Sequence, residues 1–352
     1  MRLITVRSTL LAAASVCFPA LGSAHHSFAA SYEFDGDLEI AGDVVEVRWR
    51  NPHVEFDVRV TDEDGTETIW TVEGDSLSGF RGRNITEPFV AVGDQVRLAG
   101  FPGRRGDKRI AASNVLLPTN QELVLRGEAE PRFTDQVVDT SGNRNITRGD
   151  SSSPGLGLFR VWSTTQASSF PFPEDVDPAL AHTDFPLTSA ARLALEAFDP
   201  IDDSPILNCA LKGMPTIMEQ PYPMEIIEQD GNVLLHMEEY DLLRTIYMNE
   251  ATTPEPTAGI LGFSVGHWED NTLIVNTSHL SWGWYDTVGI PLSENATIVE
   301  ELTLHKDGSQ LDWTMTVNDP ATFTEPVVLE KFWLYIPGVE VRSFDCAPEV
   351  SN

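Results

Sequence analysis

Apolar and polar residues alternate along the first third of the chain with the period of a β-strand. Alternation with period two gives each strand one buried face, and the Asp64-Gly65 pair marks a hairpin turn between two of the strands. The pattern predicts five strands, with one short helix between the third and the fourth. The strands are expected at Val45–Trp49, Val54–Val60, Thr68–Val72, Gln95–Gly100 and Ile110–Leu117, and the helix at Ser76–Arg81.

This order of elements is that of the OB-fold, a small five-stranded barrel. We therefore predict an OB-like β domain over residues 25–118, with an edge module of a β-sandwich as the alternative. OB-folds often bind nucleic acid through basic and aromatic faces. Here many carboxylates offset Arg48, Arg50 and Arg59, so the fold does not bring that function with it.

The alternation returns from Met224 onward. Asp230-Gly231, Glu269-Asp270-Asn271 and Lys306-Asp307-Gly308 are turn signals between short strands. Eight or nine strands connected in this way predict an antiparallel up-and-down β-barrel or a strongly curved sheet over residues 201–348. The chain as a whole is therefore predicted to be mainly β.

Residues 119–200 are predicted to be a linker between the two domains. Ser, Gly and Asn are frequent in its first half, as they are in loops. Ser189–Phe198 has the amphipathic pattern of a short helix, which Thr188 or Ser189 can cap and which Pro200 follows.

Residues 1–24 have the features of a secretory signal peptide. Arginines precede the short apolar run Ser8–Phe18, and Gly22–Ala24 offers small residues for cleavage. The apolar run is shorter than the ~20 residues of a membrane-spanning helix, and the sequence contains no second run of that length. We therefore expect cleavage after Ala24, a mature chain without membrane insertion, and a periplasmic or secreted location.

The protein is strongly acidic. The sequence has 54 Asp and Glu residues against 23 Lys and Arg residues, and a formal net charge of −31. Such a charge argues against nucleic acid and anionic lipid as partners. The hydrophobic content of 41% is sufficient for packed cores, so the acidity is not a sign of disorder. The remaining partner classes are a small molecule, a metal ion and an unidentified protein.

The mature chain is expected to keep two cysteines, because Cys17 lies in the predicted signal peptide. In an oxidising compartment, an isolated pair such as Cys209 and Cys346 favours a disulfide. Cys209 precedes the predicted strands of the second domain and Cys346 follows them, so the bond would tie the two ends of that domain together. Two separate buried thiols are the alternative.

Two histidines follow the predicted cleavage site. If cleavage makes His25 the first residue, its free amine and its ring can chelate one metal ion through two nitrogens. Cu(II) prefers nitrogen donors in a tetragonal plane, and His53 is the candidate for a third nitrogen. His26 lies next to the chelate and can supply that donor instead. We therefore predict a copper site at His25, His26 and His53; the alternative is a polar, mobile chain start and a turn histidine.

A set of aromatic residues in the second half of the chain is a candidate for a ligand pocket at the mouth of the predicted barrel. Its members are Trp268, Trp282, Trp284, Tyr285, Trp313 and Trp333. The alternative is that the same residues form barrel core and a packed loop.

The sequence predicts no catalytic residue. The stretch Gly262-Phe263-Ser264-Val265-Gly266 fits the letters of the nucleophile elbow of α/β-hydrolases. That elbow requires a helix after the serine, whereas Ser264 lies in a predicted β-hairpin. We therefore interpret the match as one of chance.

Two blocks of the sequence resemble families of exported bacterial proteins without an assigned function. Residues 24–117 contain the motifs AHHSFAA, NPHVEF and VGDQVRLAGFPG. Residues 158–348 contain FRVWS, CALKGMP, LLRTIYMN, LGFSVGHWEDNTLIVNT and FDCAPE, and resemble the C-terminal part of uncharacterised exported proteins. The resemblance implies export, a β-rich first domain and an organisation in two parts. It implies no reaction and no catalytic residue.

Together these observations favour a binding protein over an enzyme. We expect an exported two-domain β protein that binds copper at its mature amino terminus, with a second barrel that holds a small apolar or aromatic ligand. The alternatives are an enzyme acting on a small molecule, such as a copper-dependent oxidase or a hydrolase, and a structural module that docks on an envelope partner.

Overall fold

The structure, a computed structural model, describes residues 31–125, 129–138, 157–163, 185–219 and 221–346. These residues form a closed barrel of five strands, followed by a nearly closed, barrel-like sheet of nine strands. The predicted mainly β fold class is confirmed. The predicted signal peptide, His25, His26 and parts of the predicted linker lie outside the described residues.

Within the described residues, the first sheet contains six strands and is accompanied by a short helix. In chain order they are β1 (Leu38–Arg48), β2 (Glu55–Thr61), β3 (Glu67–Glu73), α1 (Leu77–Arg81), β4 (Gln95–Pro102), β5 (Arg109–Leu116) and β6 (Glu122–Val124). The strands are hydrogen-bonded in the order β3-β2-β1-β4-β5-β6. A parallel pairing of β3 with β5, which includes Thr71 with Arg109, closes β1 to β5 into a barrel. This strand order is that of the OB-fold, so the predicted OB-like barrel is confirmed.

The second sheet contains nine strands in the described part of the chain. In chain order they are β7 (Val161–Trp162), β8 (Met224–Gln229), β9 (Asn232–Met237), β10 (Leu242–Tyr247), β11 (Phe263–Glu269), β12 (Thr272–Ser278), β13 (Thr297–Leu304), β14 (Gln310–Asn318) and β15 (Val327–Leu334). They are hydrogen-bonded in sequence order, from β7 at one edge to β15 at the other. Ser163 and Leu334 exchange backbone hydrogen bonds of 2.9 and 2.8 Å between these edges. The sheet therefore nearly closes on itself.

Neighbouring strands of the second sheet are antiparallel, with one exception. β10 and β11 are parallel where Ile246 pairs with Ser264 and Tyr247 pairs with Val265. For β11 to run parallel to β10, the chain between them, residues 248–262, must return to the end of the sheet at which β10 began. The up-and-down prediction therefore holds for the order of the strands and fails for the direction of this one pair.

Both sheets reach into the segment predicted to be linker. β6 adds an edge strand to the first sheet, and β7 begins the second sheet at Val161. These strands have three and two residues, too few to produce a recognisable alternation.

The apolar side chains gather in two clusters, one inside each barrel. Phe56, Val58 and Leu98 are fully buried in the first cluster. Trp162, Trp313 and Trp333 are the largest side chains of the second cluster that are almost wholly buried. Each barrel thus has its own core, as the alternation of its strands requires.

The two α-helices in the described ranges begin at side-chain caps. Ser76 Oγ accepts a hydrogen bond from Gly79 N at 3.0 Å at the start of α1. Thr188 Oγ1 accepts one from Ala191 N at 3.2 Å at the start of α2 (Ser189–Ala197), the helix predicted in the linker. Each cap satisfies a backbone N–H that has no partner within the helix. No helix in the described ranges is long and apolar enough to cross a membrane.

Cys209 and Cys346 form the predicted disulfide, with Cα atoms 6.0 Å apart and a sequence separation of 137 residues. Cys346 also pairs in parallel with Asn51 of the first barrel. A second link between the barrels is the ion pair of Arg81 with the buried Glu238, at 2.5 Å. The end of the second barrel that carries the disulfide therefore lies next to the segment that precedes His53.

Candidate metal site at His53

The segment that carries His53 connects β1 to β2 and is held from both sides. Asn51 is fully buried, and its Oδ1 accepts a hydrogen bond from Leu77 N at 3.3 Å. The bridge to Cys346 holds its backbone. His53 therefore follows a fixed residue, although its own side chain is 29% exposed.

Glu73, the last residue of β3, contacts His53 directly. Its Oε1 lies 3.2 Å from His53 Nδ1, and its Oε2 accepts a hydrogen bond from the Tyr32 hydroxyl. The Glu73 side chain is 1% exposed and Tyr32 is fully buried. Burial, and after it the negative charge of Glu73, raises the pKa of Tyr32 well above its usual value. The phenol therefore stays protonated and donates to the carboxylate.

A second carboxylate lies opposite Glu73. Glu55 of β2 pairs with Glu73 across the strands, and like charges in this position destabilise a sheet unless a cation offsets them. Arg109 supplies that cation, since its Nη2 lies 2.8 Å from Glu55 Oε1 and 3.2 Å from Glu73 Oε2. We call the set Tyr32, His53, Glu55, Glu73 and Arg109 the Glu73 cluster.

Arg48 and Asp57 extend this cluster along the first hairpin. Arg48 donates to both oxygens of Asp57, at 2.9 and 2.8 Å, and its Nε lies 3.2 Å from Glu55 Oε2. Burial is the largest single effect on the pKa of Asp57 and raises it, but the hydrogen bonds and charge of Arg48, with the Thr71 hydroxyl and the charge of Arg109, together lower that pKa below its usual value. Asp57 is therefore charged at neutral pH.

The residues around Tyr32 connect the beginning of the described chain to this site. Arg104 N donates to Ser31 O, and Glu33 N donates to Pro102 O, both at 2.9 Å. These bonds fix the backbone on either side of Tyr32. The chain that leads back to His25 therefore starts beside Glu73.

The described residues include one of the three predicted copper ligands, His53. Among them, no group of three or more His, Cys, Asp and Glu side chains is arranged to hold a metal ion. His53, the described member of the predicted copper set, lies against a buried carboxylate. His25 and His26, the other two, fall outside the described residues, so the set of three stays a prediction.

Three of the six aromatics predicted to line a pocket lie in the core of the second barrel. Trp313 and Trp333 are 1% and 0% exposed, and their ring centroids are 5.6 Å apart. Tyr285 is 1% exposed and packs edge to face against Phe185 and Phe323. These positions correspond to core packing, the alternative that the sequence left open.

The other three aromatics lie apart from this core. Trp268 on β11 is 44% exposed. Trp284 packs against Phe198, with ring centroids 5.1 Å apart. Trp282 is 9% exposed and lines a cleft next to His279. The structure thus distributes the six residues over the core, a packed loop, a strand surface and a cleft.

The sequence analysis did not identify Tyr32, Glu73 or Arg109 as site residues. Their contacts depend on the pairing of β2 with β3 and of β3 with β5, which no local pattern specifies. One feature of the sequence could have pointed to the cluster. Arg48 and Glu55, which have opposite charges, flank the Asn51-Pro52 turn and pair with each other across it.

Comparison with known proteins gives one family match, which covers part of the chain. No curated protein matches the sequence at a significant level. The predicted resemblance of residues 158–348 to uncharacterised exported proteins stays a prediction. The segment before the first barrel and most of the barrel itself, residues 12–111, match a protein family of unknown function, DUF6152.

Proposed function

We propose that the protein is an exported binding protein that holds Cu(II) between its mature amino terminus and the ring of His53. The observation that carries this proposal is the position of Glu73. Its carboxylate contacts His53 Nδ1 with one oxygen and the Tyr32 hydroxyl with the other. One buried group therefore both lies beside the histidine ring and anchors the chain that leads back to His25.

The contact between Glu73 and His53 is of the kind that supports a metal ligand. Metal-binding histidines usually donate one ring N–H to a carboxylate or a carbonyl, which fixes the tautomer and the ring orientation. Here Nδ1 of His53 lies 3.2 Å from Glu73 Oε1 without the alignment of a hydrogen bond. In this proposal the ring turns on metal binding so that Nδ1–H donates to this oxygen, which leaves the lone pair of the neutral ring on Nε2. The proposal therefore assigns Nε2 as the nitrogen that His53 offers to copper.

His25 supplies the other two nitrogens in this proposal. It precedes Tyr32 by seven positions, and a fully extended chain of that length spans at most about 25 Å. Because Tyr32 lies against Glu73, this length is sufficient to bring the amine and the ring of His25 to His53. His26 lies next to the chelate and competes with His53 as the third donor.

The charge around His53 also favours a cation. The carboxylates of Glu55, Asp57 and Glu73 outnumber the guanidinium groups of Arg48 and Arg109 that contact them. The whole protein has a formal net charge of −31. Both features lower the free energy of a bound Cu(II) ion relative to a neutral ligand.

The experiment compares copper affinity between two mature proteins, one starting at His25 and one with a single additional Gly before it. N-terminal sequencing of the exported protein first establishes the natural start. Cu(II) affinity is measured by competition with a chelator, and the donor set by electron paramagnetic resonance. We expect the additional Gly to weaken binding strongly and to change the spectrum, because it removes the chelate of amine and ring.

His53→Ala and His26→Ala identify the third donor, and His305→Ala is the matched control. His305 contacts Asp312 in the second barrel and lies outside the Glu73 cluster. We expect His53→Ala to lower the affinity and His305→Ala to leave it unchanged. Equal affinity and identical spectra for the two N-terminal forms would disprove the proposal.

A further inference from the structure

A cleft of about 400 Å³ lies in the second domain, apart from the Glu73 cluster. One wall is the segment from His279 to Gly283, which follows β12, and Glu294 and Asn295 line the cleft before β13. The volume is within the range of sites for small molecules. Its lining belongs entirely to described residues.

Backbone hydrogen bonds hold the cleft in shape. Gly259 N donates to His279 O at 3.1 Å, and Ser281 N donates to Gly259 O at 2.9 Å. Leu292 N donates to Gly283 O at 2.9 Å and joins the two walls. The cleft is therefore formed before any ligand binds, which reduces the entropy cost of binding.

The cleft is apolar at one side and polar at the other. Leu280, Trp282 and Leu292 are at most 9% exposed and supply apolar surface. Gly213 packs directly against Trp282, because a Cβ atom at Gly213 would lie only 2.4 Å from the Cβ of Trp282. Glu294 is exposed and makes no ion pair with any residue in the described ranges.

His279 adds a positioned ring to the polar side. Its φ angle is +56°, a left-handed conformation that is unfavourable for a residue other than glycine. Ser278 Oγ lies 2.8 Å from its Nδ1, which orients the imidazole. A strained residue that lines a cleft is a feature of binding sites.

We propose that this cleft binds a small organic cation, with an ammonium or guanidinium group on Glu294 and an apolar part against Leu280, Trp282 and Leu292. Glu294 gives the lining its negative charge. An indole next to a cation adds a favourable interaction with the aromatic ring. The net charge of −31 disfavours an anionic ligand at the same place.

The experiment uses the metal-free mature protein and three probes of nearly equal shape: 2-phenylethylammonium, 2-phenylethanol and phenylacetate. Binding is followed by calorimetry and by tryptophan fluorescence. We expect the ammonium compound to bind most tightly and its affinity to fall with increasing salt concentration. Equal binding of the three probes, or tightest binding of phenylacetate, would overturn the proposal.

Two variants test the place of binding. Glu294→Gln removes the charge and should weaken 2-phenylethylammonium about 2–5-fold, the range for an exposed ion pair. Glu301→Gln, an exposed carboxylate on β13, should leave the affinity unchanged. If both variants weaken binding equally, the cation binds to the acidic surface in general and the proposal fails.

Gly283→Val fills the cleft. Gly283 lines the cleft, and a Cβ atom at this position meets no other atom within 4 Å, so the substitution begins without a clash. We expect the ammonium probe to lose at least about tenfold in affinity, because its apolar part and the valine overlap. His53→Ala should leave the probe unaffected, so the outcome is independent of the copper proposal.

Discussion

Arg244 and Glu300 form an ion pair inside the second barrel, where their side chains are 2% and 0% exposed. Arg244 Nη1 donates to Glu300 Oε1 at 3.0 Å, and Trp313 Nε1 donates to the same oxygen at 3.1 Å. Arg244 also donates to the hydroxyls of Ser264 and Thr277. Ser264, the serine of the elbow-like motif, is thus part of a buried network on a strand, which fits the interpretation of that motif as a chance match.

Arg244→Met should lower the free energy of unfolding by about 3–5 kcal/mol, because it leaves the charge of Glu300 buried without its partner. Urea denaturation measures the change. Arg192→Met, at an exposed position of α2, is the matched control and should have little effect. The double variant Arg244→Met/Glu300→Leu should recover much of the lost free energy of unfolding, because it removes both charges. If Arg244→Met is as stable as the wild type, the ion pair contributes little to stability.

The disulfide should contribute to stability through the loop it closes. Replacing both Cys209 and Cys346 by Ser should lower the free energy of unfolding by roughly 4–5 kcal/mol, since a loop of 137 residues is no longer closed in the unfolded chain. Denaturation with and without reductant measures it. The reductant should destabilise the wild type and have no effect on the double variant.

Glu73→Gln should weaken Cu(II) binding about 10–100-fold, the usual effect of removing a partner that orients a metal-binding histidine. The affinity is measured on protein that starts at His25. Glu67→Gln, at the exposed start of β3, is the control and should bind as the wild type does. Tyr32→Phe keeps the carboxylate and should weaken binding less. If Glu73→Gln binds Cu(II) with the affinity of the wild type, the Glu73 cluster does not contribute to copper binding.

The elements that local patterns specify were predictable from the sequence. The turn at Asp230-Gly231 has φ angles of +53° and +75°, which Asp and Gly tolerate, so its residue types mark the hairpin between β8 and β9. Helix α2 begins after Thr188, one of the two predicted caps. In both cases the chemistry that produces the structure lies within a few residues along the chain.

Features that depend on distant pairing were not predictable from the sequence. The parallel pairing of β10 with β11 depends on how residues 248–262 return the chain, and alternation within a strand does not report the direction of its neighbour. The contact of Glu73 with His53 likewise depends on the register of β2 against β3. The sequence could therefore identify His53 as a candidate ligand and could not identify the carboxylate that lies beside it.

Lys331 is a charged residue on the inner face of β15. It is 6% exposed, and its Nζ lies 4.7 Å from the centroid of the Trp333 ring and 3.5 Å from Met218 O. Burial lowers the pKa of Lys331 to about 7, against the opposing effect of Glu219 and Glu239. In the unfolded chain the same amine has its usual pKa near 10.5.

This difference predicts how the stability of the protein depends on pH. Between pH 7 and pH 10 the unfolded state binds more protons than the folded state at Lys331, so the free energy of unfolding should rise with pH, by up to about 4 kcal/mol. Lys331→Met removes the titration and should flatten this rise, whereas Lys306→Met, at an exposed position, should retain it. Urea denaturation at a series of pH values measures both. A rise that persists in Lys331→Met would assign the pH dependence to other groups.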